Sequence, residues 1–124
     1  AKLGQLDAGN KRRQEIAQRY STSIKHSDIQ HPTPKDWGTH TYHLYVIQTS
    51  NRDLLRKHLE KCGISTGIHY PTPIHKQPAY AHLSTQPLPV TEHIVNQIVS
   101  LPIFPELTDA EIDHIVQSVN AFPA

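Results

Sequence analysis

The run His40-Thr41-Tyr42-His43-Leu44-Tyr45-Val46-Ile47-Gln48-Thr49 decides the fold. Aromatic and β-branched residues dominate it, and Tyr42, Leu44 and Val46 alternate against His43, Tyr45 and Ile47, which predicts a strand buried on both faces at its centre. His43 is accordingly read as a satisfied core histidine. Immediately after it, Ser50 and Asn51 can cap a helix in which Leu54, Leu55, His58, Leu59 and Cys62 share one face, and Gly63 stands where a left-handed C-terminal cap belongs. Residues 64–70 read as a second, short strand leading into a proline-rich loop. Beyond Pro89 and Thr91, the spacing of Ile94, Val95, Ile98 and Val99 predicts an amphipathic helix, and a brief extended piece follows over residues 101–104. The final helix carries capping-box spacing at Thr108 and Glu111 and an apolar stripe of Ile112, Ile115, Val116 and Val119, closed by Pro123.

Toward the N-terminus, residues 21–38 contain Pro32, Pro34 and short polar side chains without periodicity, and form a connecting loop. Residues 5–20 space Leu6, Ile16, Ala17 and Tyr20 as one modest apolar helical face. The alternation of helices and strands predicts an α/β (α+β) layer, a small sheet covered by helices.

With 124 residues, the chain is long enough to bury a real core. Its 12 Lys and Arg against 11 Asp and Glu leave a net charge of +1, without the basic footprint of a nucleic-acid or anionic-membrane binder. Asn10, Arg12 and Arg13 are expected to pair with carboxylates or to form an exposed helix face. The single cysteine, Cys62, cannot form an internal disulfide and fits a buried thiol in a reducing compartment. No apolar run approaches the roughly 18 residues that span a bilayer, and the polar N-terminus is unlike a secretory signal. A cytoplasmic location is the expectation, for a chain that begins inside a longer protein or has been processed.

Chemistry concentrates in Gly67-Ile68-His69-Tyr70-Pro71-Thr72-Pro73-Ile74-His75 and the following Gln77-Pro78-Ala79-Tyr80. The prolines hold this backbone extended and remove amide donors, so two imidazoles and two phenols are displayed from a stiff loop. No paired carboxylates, G-x-S-x-G turn or glycine-rich phosphate cradle accompanies them. Lys76 reads as a solvated cation, and Tyr80 as a ring packed against the loop. An alternative stays open in which Tyr70 packs under the prolines while His69 and His75 only satisfy backbone carbonyls. A metal-binding domain built on His69, His75 and His82 is also possible, though their spacing matches no usual zinc pattern.

Several segments together resemble the C-terminal domain of the DegT/DnrJ/EryC1/StrS family of pyridoxal-phosphate-dependent sugar aminotransferases. They are Asn10-Lys11-Arg12-Arg13-Gln14-Glu15-Ile16-Ala17-Gln18-Arg19-Tyr20, Tyr42-His43-Leu44-Tyr45-Val46-Ile47, Gly63-Ile64-Ser65-Thr66-Gly67-Ile68-His69-Tyr70-Pro71, Pro73-Ile74-His75 and Ser100-Leu101-Pro102-Ile103-Phe104-Pro105-Glu106-Leu107-Thr108. They occur in the family's order along most of the chain, which is more specific than any one of them.

The resemblance implies the small domain of a fold-type I aminotransferase, with residues 1–24 ending a linker helix and 25–124 forming the C-terminal domain. It implies a keto sugar attached to a nucleoside diphosphate as substrate, glutamate or glutamine as amino donor, and a homodimeric parent. Pyridoxal phosphate is expected in the intact parent only. The Schiff-base lysine and most phosphate ligands belong to an N-terminal large domain that is absent, so the resemblance implies no catalytic, cofactor-binding or metal residue in this chain and no transamination by it alone. By the same resemblance His69, Tyr70 and His75 face the sugar nucleotide. Apolar residues of the first helix and the proline loop are expected to meet the large domain or a second subunit. A non-catalytic remnant that keeps the fold as a binding module is the competing reading.

Overall fold

The computed structural model describes residues 3–80, 82–83 and 86–123. After a 3-10 turn at Leu3–Gln5, helix α1 spans Leu6–Ser23, strand β1 Tyr45–Gln48, helix α2 Arg52–Lys61, helix α3 Pro89–Ile94, strand β2 Ile98–Leu101 and helix α4 Asp109–Asn120. The architecture is the expected small sheet covered by helices. β1 and β2 pair antiparallel, with Tyr45 opposite Leu101 and Ile47 opposite Val99.

Three boundaries differ from those predicted. The first strand covers Tyr45–Gln48 rather than residues 40–49, because Tyr42 has φ 51° and its amide donates to His40 Nδ1 at 2.9 Å. A left-handed residue with a local side-chain acceptor turns the backbone before the ladder begins. His43 is therefore exposed instead of buried in a strand, and only one face of β1, that of Tyr45 and Ile47, is fully covered.

The second difference lies between Pro89 and Phe104. Ile94, Val95, Ile98 and Val99 have helical spacing, yet α3 stops at Ile94 and Ile98–Leu101 form β2. All four β2 residues are buried, since β2 lies between β1 and a backbone bridge to Gly67. A β-branched pair such as Ile98-Val99 suits a strand covered on both faces, and that burial outweighs an i, i+4 coincidence. Third, the strand expected over residues 64–70 contracts to that bridge: Gly67 N donates to the Ser100 carbonyl at 3.1 Å and Ser100 N to that of Gly67 at 2.8 Å.

The helix ends follow their residues. Gly63, at φ 77°, closes α2 in the left-handed region, where a Cβ would be strained. The capping box at α4 is present, Glu111 N donating to Thr108 Oγ1 and Thr108 N to the Glu111 carboxylate. Asn51, by contrast, makes no side-chain cap at α2. It turns with Ser50 and Thr49 onto the Asp28 carboxylate, which accepts hydrogen bonds from Thr49 Oγ1, Ser50 Oγ and N, and Asn51 Nδ2.

One core unites these elements. Tyr20 and Tyr45 meet edge to face at 5.1 Å, and the Tyr20 hydroxyl donates to the Pro102 carbonyl at 2.8 Å. Burial pushes both phenols up, Tyr45 to about 12. Arg12 and Arg19 bind α1 to α4 through Asp109 and Asp113, which accounts for one arginine of the N-terminal pair by a carboxylate. Cys62 is half-buried against the core rather than sealed within it. Many of the histidines act as ties: His26, His58 and His114 donate through Nε2 to the carbonyls of Phe122, Ser118 and Cys62. His31 bonds the Tyr45 hydroxyl through Nδ1 at 2.9 Å. A carbonyl can only accept, so those three imidazoles are the donors.

Candidate functional site

β2 is the platform on which the loop chemistry is mounted. Its Ser100 is buried and holds Gly67 through the backbone bridge, which fixes the point where the loop leaves the sheet. Two residues on, the His69 ring folds back over Gly67, and its Nδ1 lies 2.9 Å from Ser100 Oγ. A Cβ on Gly67 would stand 2.5 Å from His69 Cε1, so the absence of a side chain at Gly67 is what lets the ring reach the serine. The Tyr70 ring meets His69 edge-on, with centroids 5.6 Å apart.

Beyond them Pro71 and Pro73 lead into two 3-10 turns, Ile74–Lys76 and Pro78–Tyr80. The first turn is tied to α3. His75 Nε2 lies 3.0 Å from Glu92 Oε1, and Lys76 Nζ donates to Glu92 Oε2. The amide of Leu88 donates to the same carboxylate at 3.0 Å. Lys76, His75 and the Leu88 amide together lower the Glu92 carboxyl to about 2.

The three predicted site residues thus fall into two groups. His69 and Tyr70 are adjacent and exposed, with Tyr70 at 72% of its full accessibility. His75 is directed to Glu92, and its side chain retains 13% exposure. Neither imidazole is spent on a backbone carbonyl, and Tyr70 is not packed beneath the prolines. Two further expectations are corrected: Lys76 is ion-paired, not simply solvated, and Tyr80 is 45% exposed instead of packed on the loop. Among the described residues no three His, Cys, Asp or Glu side chains converge on a common point, and His82 is exposed.

Ser100 and Glu92 are the groups that sequence reasoning missed. They lie 31 and 17 positions from the histidines they hold, and neither has a spacing signature. The one available cue was Gly67, a glycine within a stretch read as a strand, where close approach of another group is a standard reason for its presence.

The model of the DegT/DnrJ/EryC1/StrS aminotransferase family matches residues 1–120. The chain is 42% identical over 123 residues to the erythromycin biosynthesis sensory transduction protein EryC1 of Saccharopolyspora erythraea, covering 97% of this chain and 34% of that protein. It is 40% identical over 121 residues to the dTDP-3-amino-3,6-dideoxy-alpha-D-galactopyranose transaminase of Aneurinibacillus thermoaerophilus, covering 98% of this chain and 33% of that protein. Among solved structures, S. venezuelae DesV in complex with a ketimine intermediate superposes with a TM-score of 0.92 at 35% identity, over 95% of this chain and 33% of that one. An aminotransferase from Brucella abortus superposes at 0.90, also at 35% identity, over 98% of this chain and 33% of that one. The chain therefore spans about a third of the length of the relatives it matches.

Proposed function

The chain belongs to the DegT/DnrJ/EryC1/StrS aminotransferase family, and from that membership we propose that it forms the C-terminal portion of a pyridoxal-phosphate-dependent aminotransferase acting on a nucleotide-linked keto sugar. In this reading residues 1–24 end a linker helix and 25–124 form the small domain. The amino donor is glutamate or glutamine, and the enzyme works as a homodimer in the cytoplasm. Among the described residues, no helix is long and apolar enough to cross a membrane.

Attachment of pyridoxal phosphate as an aldimine requires a free lysine amine, and the loop's one lysine, Lys76, is held in an ion pair with Glu92. The cofactor is assigned to the remainder of the enzyme, and the role of this chain lies on the substrate side.

The observation that carries that role is the pairing of a firm mount with an exposed display. His69 is held to β2 through Ser100, and Tyr70 stands against it in the open. Hydrogen-bonding groups fixed in this way orient a sugar without reorganising when it binds. Exposed apolar side chains elsewhere, Ile74 on the loop and Leu6 on α1, are offered to the large domain or the second subunit.

The test uses the full-length polypeptide with pyridoxal phosphate, glutamate and a dTDP-linked 3-keto sugar. Amino transfer is expected, and the sugar nucleotide should shield His69 from diethyl pyrocarbonate. Absence of transfer to any nucleotide-linked keto sugar, or His69 modification unaffected by a bound one, would contradict the proposal.

A further inference from the structure

The loop between Gly67 and Lys76 is pinned at two points. One is the Gly67–Ser100 backbone pair with its His69–Ser100 side-chain bond, and the other is Glu92. Residues 70–74, with Tyr70 and Ile74 both over 70% exposed, span the distance between them. The position of Tyr70 is then set by both pins. Glu92 sits in the first turn of the six-residue helix α3, and its own surroundings make it a fixed point. Its carbonyl accepts from Asn96 Nδ2 at 2.8 Å, and Arg52 Nη1 donates to the Val95 carbonyl at 2.7 Å, tying the end of α3 to the start of α2.

The carboxylate of Glu92 can only accept, so His75 presents Nε2–H to it. Lys76 takes the other oxygen. We infer that Glu92 is a positioning residue for the sugar half of the reaction, clamping His75 and Lys76 on one carboxylate and so closing the second end of the strap that carries His69 and Tyr70. This rests on the substrate-side role proposed above for the loop. The clamp itself does not, since it is a property of the folded chain.

Two experiments separate them. In the chain as it stands, Glu92→Ala is expected to speed amide exchange at residues 74–80 by about tenfold, and to erase the His75 Nε2–H proton signal in water. Exchange in α4 should stay unchanged, which shows that the fold is kept. If α4 also loses protection, Lys76→Met, which removes one donor and leaves Glu92 in place, is expected to raise exchange at residues 74–80 alone. Unchanged loop exchange with a retained His75 signal would overturn the clamp. In the full-length enzyme, Glu92→Ala should slow the single-turnover reaction of the keto sugar about tenfold and leave the amino-donor half-reaction unaltered, with Glu92→Gln, which still accepts from His75 and Leu88, recovering part of the loss. Equal slowing of both halves, or of neither, would overturn the positioning role. A His69→Ala enzyme run in the same assay distinguishes this from failure of the substrate-side reading, in which His69→Ala too would leave the sugar half unchanged.

Discussion

His69 Nδ1 lies 2.9 Å from the hydroxyl of Ser100, a buried residue in the middle of β2. That one contact converts an exposed loop histidine into part of the sheet's framework. Ser100 carries it because β2 is covered on both sides and cannot shift, with β1 on one edge and Gly67 on the other.

Replacing Ser100 with alanine should therefore free the imidazole while sparing the fold. A neutral hydrogen bond contributes about 0.5–1.5 kcal/mol, and the exposed His69 can take water in place of the hydroxyl, so the loss of stability should fall at the low end of that range. Denaturant unfolding measures the cost, and relaxation of the His69 ring measures its release. A ring as rigid as in the parent would contradict this account.

Gly67→Ala addresses the same contact from below. The new Cβ would meet His69 Cε1 at 2.5 Å, and the ring, at the end of an exposed side chain, is the part able to move. The expected outcome is a folded protein within about 1 kcal/mol of the parent, with the Ser100 hydroxyl no longer bonded to His69. NMR shifts of the His69 ring report it, and a ring unmoved in the variant would show that the approach over Gly67 is not needed.

The capping box and the apolar stripe of α4 could be read directly from the chain, because capping boxes and 3.6-residue periods are local codes, whereas the Asn51 cap expected at α2 was lost to the Asp28 carboxylate. Gly63 ending α2 was legible for the same reason. β2 was not, because Ile94, Val95, Ile98 and Val99 satisfy helical spacing as well as strand composition, and only the neighbours of β2 choose between them. Tyr42 was misplaced because a positive φ at a tyrosine leaves no mark in the sequence. The display loop could be recognised from its prolines, histidines and tyrosines. Its mounts could not, since Ser100 and Glu92 become partners only once β2 and α3 have packed.

Asp28 should govern part of the acid sensitivity. Hydrogen bonds from Ser50 and Thr49, joined by the Ser50 amide and Asn51, lower its carboxyl from the usual 3.8 to about 2. The folded chain favours the ionised form, so this stabilisation is complete above about pH 4 and is lost as the pH falls toward 2. In Asp28→Asn the difference from the parent should be on the order of 1 kcal/mol at pH 7 and shrink through that window. Urea midpoints collected from pH 7 to pH 2 measure it, and a difference independent of pH would refute the assignment.

Lys76 provides a check on where the cofactor belongs. With its ammonium engaged by Glu92, the 124-residue chain mixed with pyridoxal phosphate and reduced with borohydride should show only scattered, substoichiometric labelling of lysines. Peptide mapping that found one full equivalent on Lys76 would place the cofactor in this loop and overturn the division of roles.

In the proposed substrate-side role, His69 and Tyr70 serve the sugar and not the amino donor. Single-turnover kinetics of the two half-reactions in the full-length enzyme, with His69→Ala and Tyr70→Phe beside the parent, separates the two. Loss of one orienting hydrogen bond should cost about 1–3 kcal/mol, roughly tenfold to somewhat over a hundredfold in the rate with keto sugar, while the rate with glutamate and the thermal midpoint stay close to those of the parent. An unchanged sugar half-reaction, or a loss of stability large enough to explain the whole defect, would contradict the claim.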